Sequence, residues 1–305
     1  MFSFVLLAAG CCIILALGLM IVVMAQESWP VFQQFGLKFI YGTDWQPVQS
    51  DQHKPEFSAL PFIYGTLVSS IIALVIAIPL SLGTAIFLAE WAPSKLRALV
   101  AYFIELLAAI PSVVYGLWAI FFLVPWLRST VMPFLASTLG FLPIFQPPIV
   151  GFSLFTAGVI LAIMSLPYIT AVAREVLLAV PNSQREAMLA LGATRWECIR
   201  KAVLPYGRSG IVGAIILGWG RAQGETMAVT MVIGNSHYIK ASLFQPGYTM
   251  ASVIANEINE ATYALYAQSL ITIGLLLFAV SFIVNGIARY LIIKTSPLGR
   301  GGANE

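Results

Sequence analysis

Six apolar runs, each long enough to cross a lipid bilayer, leave this 305-residue chain little choice of fold. A hydrocarbon core about 30 Å thick takes roughly 20 apolar residues per helical crossing. Such runs fall at residues 2–25, 61–89, 98–124, 148–170, 208–235 and 263–293. Inside a bilayer every backbone N–H and C=O must find an internal partner, and continuous runs of this length achieve that as helices. The expectation is an all-α polytopic membrane bundle of six transmembrane helices. Hydrophobic residues make up 59% of the chain and charged residues only 10%, against about 25% charged in a soluble domain. The three cysteines (Cys11, Cys12 and Cys198) have neither zinc-site nor disulfide-framework spacing.

The runs divide the chain into a first transmembrane helix at 1–25, a polar loop at 26–60 that contains Pro30, Pro47 and Pro55, a helical domain at 61–293, and a tail at 294–305. Orientation follows from basic residues, which concentrate in cytoplasmic loops. Lys95 and Arg97 lie between the second and third runs, Arg174, Arg185, Arg195, Arg200, Lys201 and Arg208 between the fourth and fifth, and Arg289, Lys294 and Arg300 at the end. The opposite side has Lys38, Lys54, Arg128 and Lys240. This imbalance predicts cytoplasmic termini and an outward-facing 26–60 loop. Near the outer ends of the last two spans, His237, Lys240, Glu257 and Glu260 are expected to be solvated.

The one long polar and basic stretch is SQREAMLALGATRWECIRKAVLP, residues 183–205. Ser183 with Glu186 and Thr194 with Glu197 have capping-box spacing. Gly192 sits where a left-handed residue would end the first helix, and Pro205 would limit the second. Two short helices around a glycine follow. Their apolar residues Ala187, Met188, Leu191, Trp196, Ile199 and Val203 must pack on the bundle or on a partner. A loop held this tightly at a membrane cannot enter a DNA major groove. It is either an amphipathic connector at the lipid surface or a docking element.

Arg221, Glu225 and Glu105 are ionisable residues inside apolar runs. Each intramembrane charge costs about 2.5–3.5 kcal/mol, which makes it a candidate for function. On a continuous helix Arg221 and Glu225 share one face, with Arg221 about 20 Å from the cytoplasmic end. Two readings stand: a structural ion pair, or an anion-handling element in which Arg221 meets the solute and Glu225 balances it. Gly220 and Gly224 have small-xxx-small spacing, which would bring that face to a helix–helix seam. Glu105, about 10 Å in from the start of the third run, would pair with an arginine or mark a gate.

The stretch EAMLALGATRWECIRKAVLP resembles the EAA loop of ABC-importer permeases, with Glu186, Ala187, Gly192, Leu204 and Pro205 at that motif's spacing. Met188 replaces its second alanine, and Ala202 stands where isoleucine is common. PFIYGTLVSSIIALVIAIPLSLGTAIFLAEW (61–91) is similar to the start of the type I importer membrane domain. AAIPSVVYGLWAIF (108–121) and GRAQGETMAVTMVIGN (220–235) resemble phosphate-importer permeases, the latter favouring the PstC type over the PstA type. The resemblance implies a MetI-like fold in a bacterial cytoplasmic membrane and one half of an alternating-access pathway for inorganic phosphate. It also implies that Glu186–Pro205 is an ATPase-coupling loop and that Arg221 and Glu225 are transport-critical. Implied partners are a homologous PstA-type permease, two PstB-type ATPase subunits, a PstS-type phosphate-binding protein and membrane lipid, with no nucleic acid. No G-x-x-x-x-G-K-[ST] run is present, so ATP and magnesium would be used by the partner ATPase, and no cofactor is expected in this chain. A permease for sulfate or molybdate, and a membrane scaffold or sensor, are the alternatives.

Overall fold

The computed structural model describes residues 2–48 and 54–295, with side chains described from residue 4 to residue 290. Arg300 and residues 296–305 of the expected tail lie outside the described residues. The described residues are mostly helical: α1 (Phe2–Phe35), α2 (Lys38–Tyr41), α3 (Leu60–Trp91), α4 (Ser94–Ala109), α5 (Ser112–Leu139), α6 (Leu154–Leu178), α7 (Asn182–Ala190), α8 (Arg195–Gly224), α9 (Met227–Val232), α10 (Met250–Glu257) and α11 (Ala264–Thr295). Six of these, α1, α3, α5, α6, α8 and α11, are long and apolar enough to cross a membrane.

At the centre α6 packs most extensively against α3 and next against α8, while α1 pairs with α11 at the periphery. The main core runs through Ala73, Ala77, Ile160, Leu161, Ile169, Ala173 and Ala214. By contrast, α1 leaves Phe4, Ile13, Ile14 and Leu15 exposed, as a lipid-facing helix does.

The apolar runs locate the helices but not their interruptions. The first helix continues to Phe35, so part of the 26–60 stretch is helical. The third run is divided at Ile110–Pro111 into α4 and α5, because proline and the residue before it leave the helical ladder. The fourth helix runs later than the apolar stretch 148–170, at Leu154–Leu178. The fifth run is broken at Glu225–Thr226, where Glu225 takes extended backbone angles. In the other direction α8 begins at Arg195, so Pro205 does not end the second short helix but lies within a continuous one.

Proline placement explains the wide turns. Four π-helical turns, Phe87–Trp91, Ala119–Leu123, Leu127–Val131 and Ile199–Val203, each end two residues before a proline: Pro93, Pro125, Pro133 and Pro205. Proline lacks an N–H and its ring clashes with the carbonyl four residues back. Widening the preceding turn removes that clash, and the helix runs on through Pro125, Pro133 and Pro205, whereas α3 ends at Trp91 ahead of Pro93.

At the end of the bundle opposite residues 183–205, a buried carboxylate ties the α2–α3 connection to the bundle. Glu257 on α10 is 6% exposed. It accepts hydrogen bonds from Trp45 Nε1 at 2.9 Å and Tyr266 Oη at 2.7 Å, and His237 Nε2 lies 2.7 Å away. Glu257 is therefore not the solvated residue expected from its position. Trp45 packs edge-on against Phe57 and Phe62. Nearby, burial, helped by the charges of Glu257 and Glu260, pushes the Tyr248 phenol up to about 12 against a lowering hydrogen bond from Asn256. Replacing Glu257 with alanine strands two buried donors, each worth about 1–3 kcal/mol. The expected outcome is faster limited proteolysis within residues 42–58 of the purified protein, with the rest of the bundle unchanged.

Candidate functional site

Two clusters of the sequence-singled residues stand apart in the structure. The first is the loop at the bundle's basic end. α7 starts at Asn182 with Pro181 before it, so Ser183 lies inside the helix and makes no cap. The helix ends as the sequence predicts: Gly192 has φ +80°, its N–H bonds to Leu189 O, and Ala193 N–H bonds to Met188 O. This pairing of the last carbonyls is a Schellman motif, which calls for glycine at the left-handed position. The second capping box is present: Thr194 N–H donates to Glu197 Oε2 at 2.9 Å and Glu197 N–H to Thr194 Oγ1 at 3.3 Å.

The loop divides its apolar residues between two destinations. Ile199 and Val203 are buried in the bundle, while Ala187 and Trp196 are exposed and Leu191 is 84% exposed. Glu186, Gly192 and Pro205 are also exposed, and Leu204 is half-buried. A groove of about 390 Å³ passes between Ala187, Met188 and Leu191 on one side and Ala202, Pro205 and Tyr206 on the other. This is an apolar surface with a polar rim, shaped to receive something.

The second cluster lies within the bundle where α8 breaks. Arg221 Nη2 is 3.6 Å from Glu225 Oε2. Glu225 is buried, while the Arg221 side chain is 37% exposed. Glu225 sits just past the helix end rather than on a continuous helical face, so the pair spans a break. The Arg221 guanidinium lies over the Tyr168 ring, 4.9 Å from its centroid. Tyr168 Oη in turn donates to Ala108 O at 3.0 Å, and Tyr115 Oη to Leu107 O at 2.8 Å. Those carbonyls belong to the last turn of α4, beyond the reach of i+4 donors, although Leu107 O also accepts the Ile110 N–H at 3.4 Å. Tyr168 thus links the α4–α5 break to the α8–α9 break. Irregular backbone at membrane depth is tolerated where protein buries it or where it lines a cavity.

Several polar groups here are incompletely satisfied. Arg221 Nε, both amide atoms of Gln223, and Asn285 Oδ1 are buried with no hydrogen-bond partner among the described residues. A cavity of about 390 Å³ is lined by Tyr168, Gly220, Arg221 and Asn285 with Ile216 and Leu217. Tyr168, Gln223 and Asn285 escaped the sequence reading, which weighed only charges. The available signal was a polar side chain inside an apolar run. Glu105 does not join the pair: it is exposed on α4, one turn before Ala108, and forms no ion pair among the described residues.

Nor do Gly220 and Gly224 make a seam, since a Cβ at either would meet nothing within 4 Å. The close approach falls on the neighbouring face, where a Cβ at Gly210 would strike Val176 and one at Gly218 would strike Ile169, both on α6.

A multi-pass bundle with a broken helix carrying charge at its middle, and an exposed capped loop at one end, defines a membrane permease subunit. Residues 77–296 match the family described as binding-protein-dependent transport system inner membrane component. The chain belongs to that family and is a transport component rather than an enzyme. Its relatives include proteins named phosphate transport system permease protein PstC. One from Mesorhizobium japonicum is 43% identical, covering 94% of this chain and 88% of the relative. One from Pasteurella multocida is 47% identical over 88% of this chain and 83% of the relative. The chain is also similar in fold to two solved structures. A methionine ABC transporter, MetNI, matches at 19% identity and TM-score 0.51 over 76% of this chain and 91% of that one. A bacterial ABC transporter involved in alginate import matches at 17% identity and TM-score 0.54 over 81% of each chain.

The two glycine faces make opposite predictions. Gly218→Val forces a branched side chain into Ile169 and should destabilise the bundle by about 1–3 kcal/mol through overpacking. Gly220→Ala should leave stability unchanged. Thermal unfolding of the detergent-solubilised protein distinguishes them.

Proposed function

We propose that this chain is one of two permease subunits of an ATP-driven importer of inorganic phosphate in a bacterial inner membrane. Close similarity to proteins named as phosphate permeases supports the cargo. The Arg221–Glu225 pair at the α8 break is the structural observation that carries the reading. A guanidinium fork suits phosphate oxygens, and the 3.6 Å separation leaves Arg221 without a tight bidentate partner. Glu225 balances the charge between passages, which lowers the cost of keeping an arginine at that depth. The half-exposed Arg221 beside a buried Glu225 favours this arrangement over a sealed structural ion pair, whose members would both be covered.

The remaining parts follow from the importer reading. A homologous PstA-type permease completes the pathway, two PstB-type ATPase subunits drive it using ATP and magnesium, and a PstS-type protein delivers phosphate. Both termini and residues 183–205 face the cytoplasm, and the 26–60 stretch faces outward. Glu186, Ala187, Gly192, Leu204 and Pro205 belong to the ATPase-coupling loop, whose exposed Leu191 and groove supply an apolar seat. ATP-driven closure pushes on this loop and turns the bundle outward; hydrolysis returns it. A switch of this kind requires each ligand to contact the two states differently.

Two variants test the separate parts. Arg221→Gln should abolish ATP-dependent uptake of labelled phosphate in proteoliposomes while the complex stays assembled; normal uptake would make the pair structural. Gly192→Val places a β-branched residue at φ +80°, a conformation costing about 1–3 kcal/mol for such a side chain. Uptake should collapse while membrane insertion persists, and unaffected uptake would dismiss the loop as the lever. Excess unlabelled sulfate or molybdate should fail to compete with phosphate.

A further inference from the structure

We propose that Arg185, gripped by Glu90, is the joint that carries movement of the coupling helix into the membrane-spanning helices. This rests on the reading of residues 183–205 as the ATPase-coupling loop. Arg185 lies on α7, next to Glu186, but its side chain turns toward the bundle and is only 18% exposed. Its Nη2 donates to Glu90 Oε1 at 2.8 Å, and Nε lies 3.3 and 3.4 Å from the two Glu90 oxygens. The same Nη2 reaches Leu177 O at 2.8 Å, and Nη1 donates to Val180 O and to Asn182 Oδ1. Leu177 is in the last turn of α6 and Val180 just past its end, where a cation complements the helix dipole. One guanidinium therefore fastens α7 to α3 and α6 together.

Glu90 is aimed by the backbone around it. It belongs to the π-helical turn Phe87–Trp91 that precedes Pro93. Beside it, Trp91 stacks on Trp196 with centroids 6.1 Å apart and planes 13° from parallel. Cys198 Sγ of α8 approaches Arg185 O at 3.8 Å, which brings the third central span to the same place. The other contacts of this loop with the bundle, the Trp91–Trp196 stack and the packing of Met188, Ile199 and Val203, are aromatic or apolar and carry no ion pair. A charge-assisted fork is directional and resists displacement along as well as across the contact. Lysine would keep the charge but lose the fork. The α6 end that Arg185 holds belongs to the helix that carries Tyr168, the ring under Arg221. A push on α7 thus reaches the charge pair through one packed helix.

The experiment uses the assembled importer in proteoliposomes, with ATP hydrolysis and labelled phosphate uptake measured on the same preparation. Glu90→Gln, Arg185→Lys and the double variant are compared with the parent complex. Each single variant should lower phosphate moved per ATP by about tenfold, within the ordinary range of coupling energies. The double variant should be no worse than the weaker single, and the ATPase should co-purify as before. An unchanged ratio in either single, multiplied losses in the double, or loss of the ATPase from the complex would overturn the joint. A parent complex with no ATP-dependent uptake would overturn the importer reading instead.

Discussion

Packing of α6 between α3 and α8 depends on side chains that are missing. A Cβ at Gly158 of α6 would strike Ile72 of α3, and Gly210 and Gly218 of α8 admit Val176 and Ile169 of α6. Between membrane helices hydrophobic burial gives no net drive, because lipid is as apolar as leucine. Close van der Waals contact and short polar links must therefore hold the bundle. Ser81 Oγ to Leu166 O at 3.2 Å, Ser165 Oγ to Gly218 O at 3.4 Å and Trp219 Nε1 to Ser70 Oγ at 3.3 Å are such links. With α6 fixed in this way, its middle can hold Tyr168 under Arg221 and its end can present Leu177 and Val180 to Arg185.

Prolines act on this frame in two ways. At Pro125, Pro133 and Pro205 a widened turn absorbs the lost hydrogen bond and the helix continues, while at Pro93 the widened turn is the last of α3. At Pro111 the helix stops, and tyrosine hydroxyls from α5 and α6 cap the carbonyls it leaves. The break at Glu225–Thr226 has no proline at all. There the sequence offers Gly224 and Thr226, both weak helix formers, and the C-terminal end of α8 is placed beside the arginine that complements its dipole.

Much of this was legible without coordinates. The number of spans followed from bilayer thickness, Gly192 from the demand for a left-handed residue, and the Thr194 box from spacing alone. Local rules succeeded where the cause was local. Ser183 does not cap because Pro181 holds the N-cap position and the helix begins at Asn182, one residue before Ser183. Pro205 failed as a stop because a helix can widen rather than end. The glycine face was misassigned because spacing marks candidates on every face, and only the neighbouring helix decides which face needs them. Glu257 differs from expectation for a related reason: Trp45, which helps to bury it, lies 212 residues away in sequence, and His237 and Tyr266 reach it from separate elements.

The three ionic centres differ in how completely they are satisfied, and that difference assigns their roles. Glu257 is saturated by Trp45, Tyr266 and His237, which suits a fastening at one end. Arg185 is saturated by a carboxylate, two carbonyls and an amide, which suits a joint at the other. Arg221 between them has a long contact to Glu225, an aromatic face, and a buried Nε without a partner, close to Gln223 in sequence with its amide also unpaired. Buried polar groups left this way raise the energy of the state that contains them. A bundle fastened at both ends and under-satisfied in the middle lowers its energy most by acquiring hydrogen-bond partners there. Such partners come either from a passing oxyanion or from a rearrangement of the two breaks. In the function proposed above both responses fall at Arg221 and its neighbours, beside the cavity of about 390 Å³.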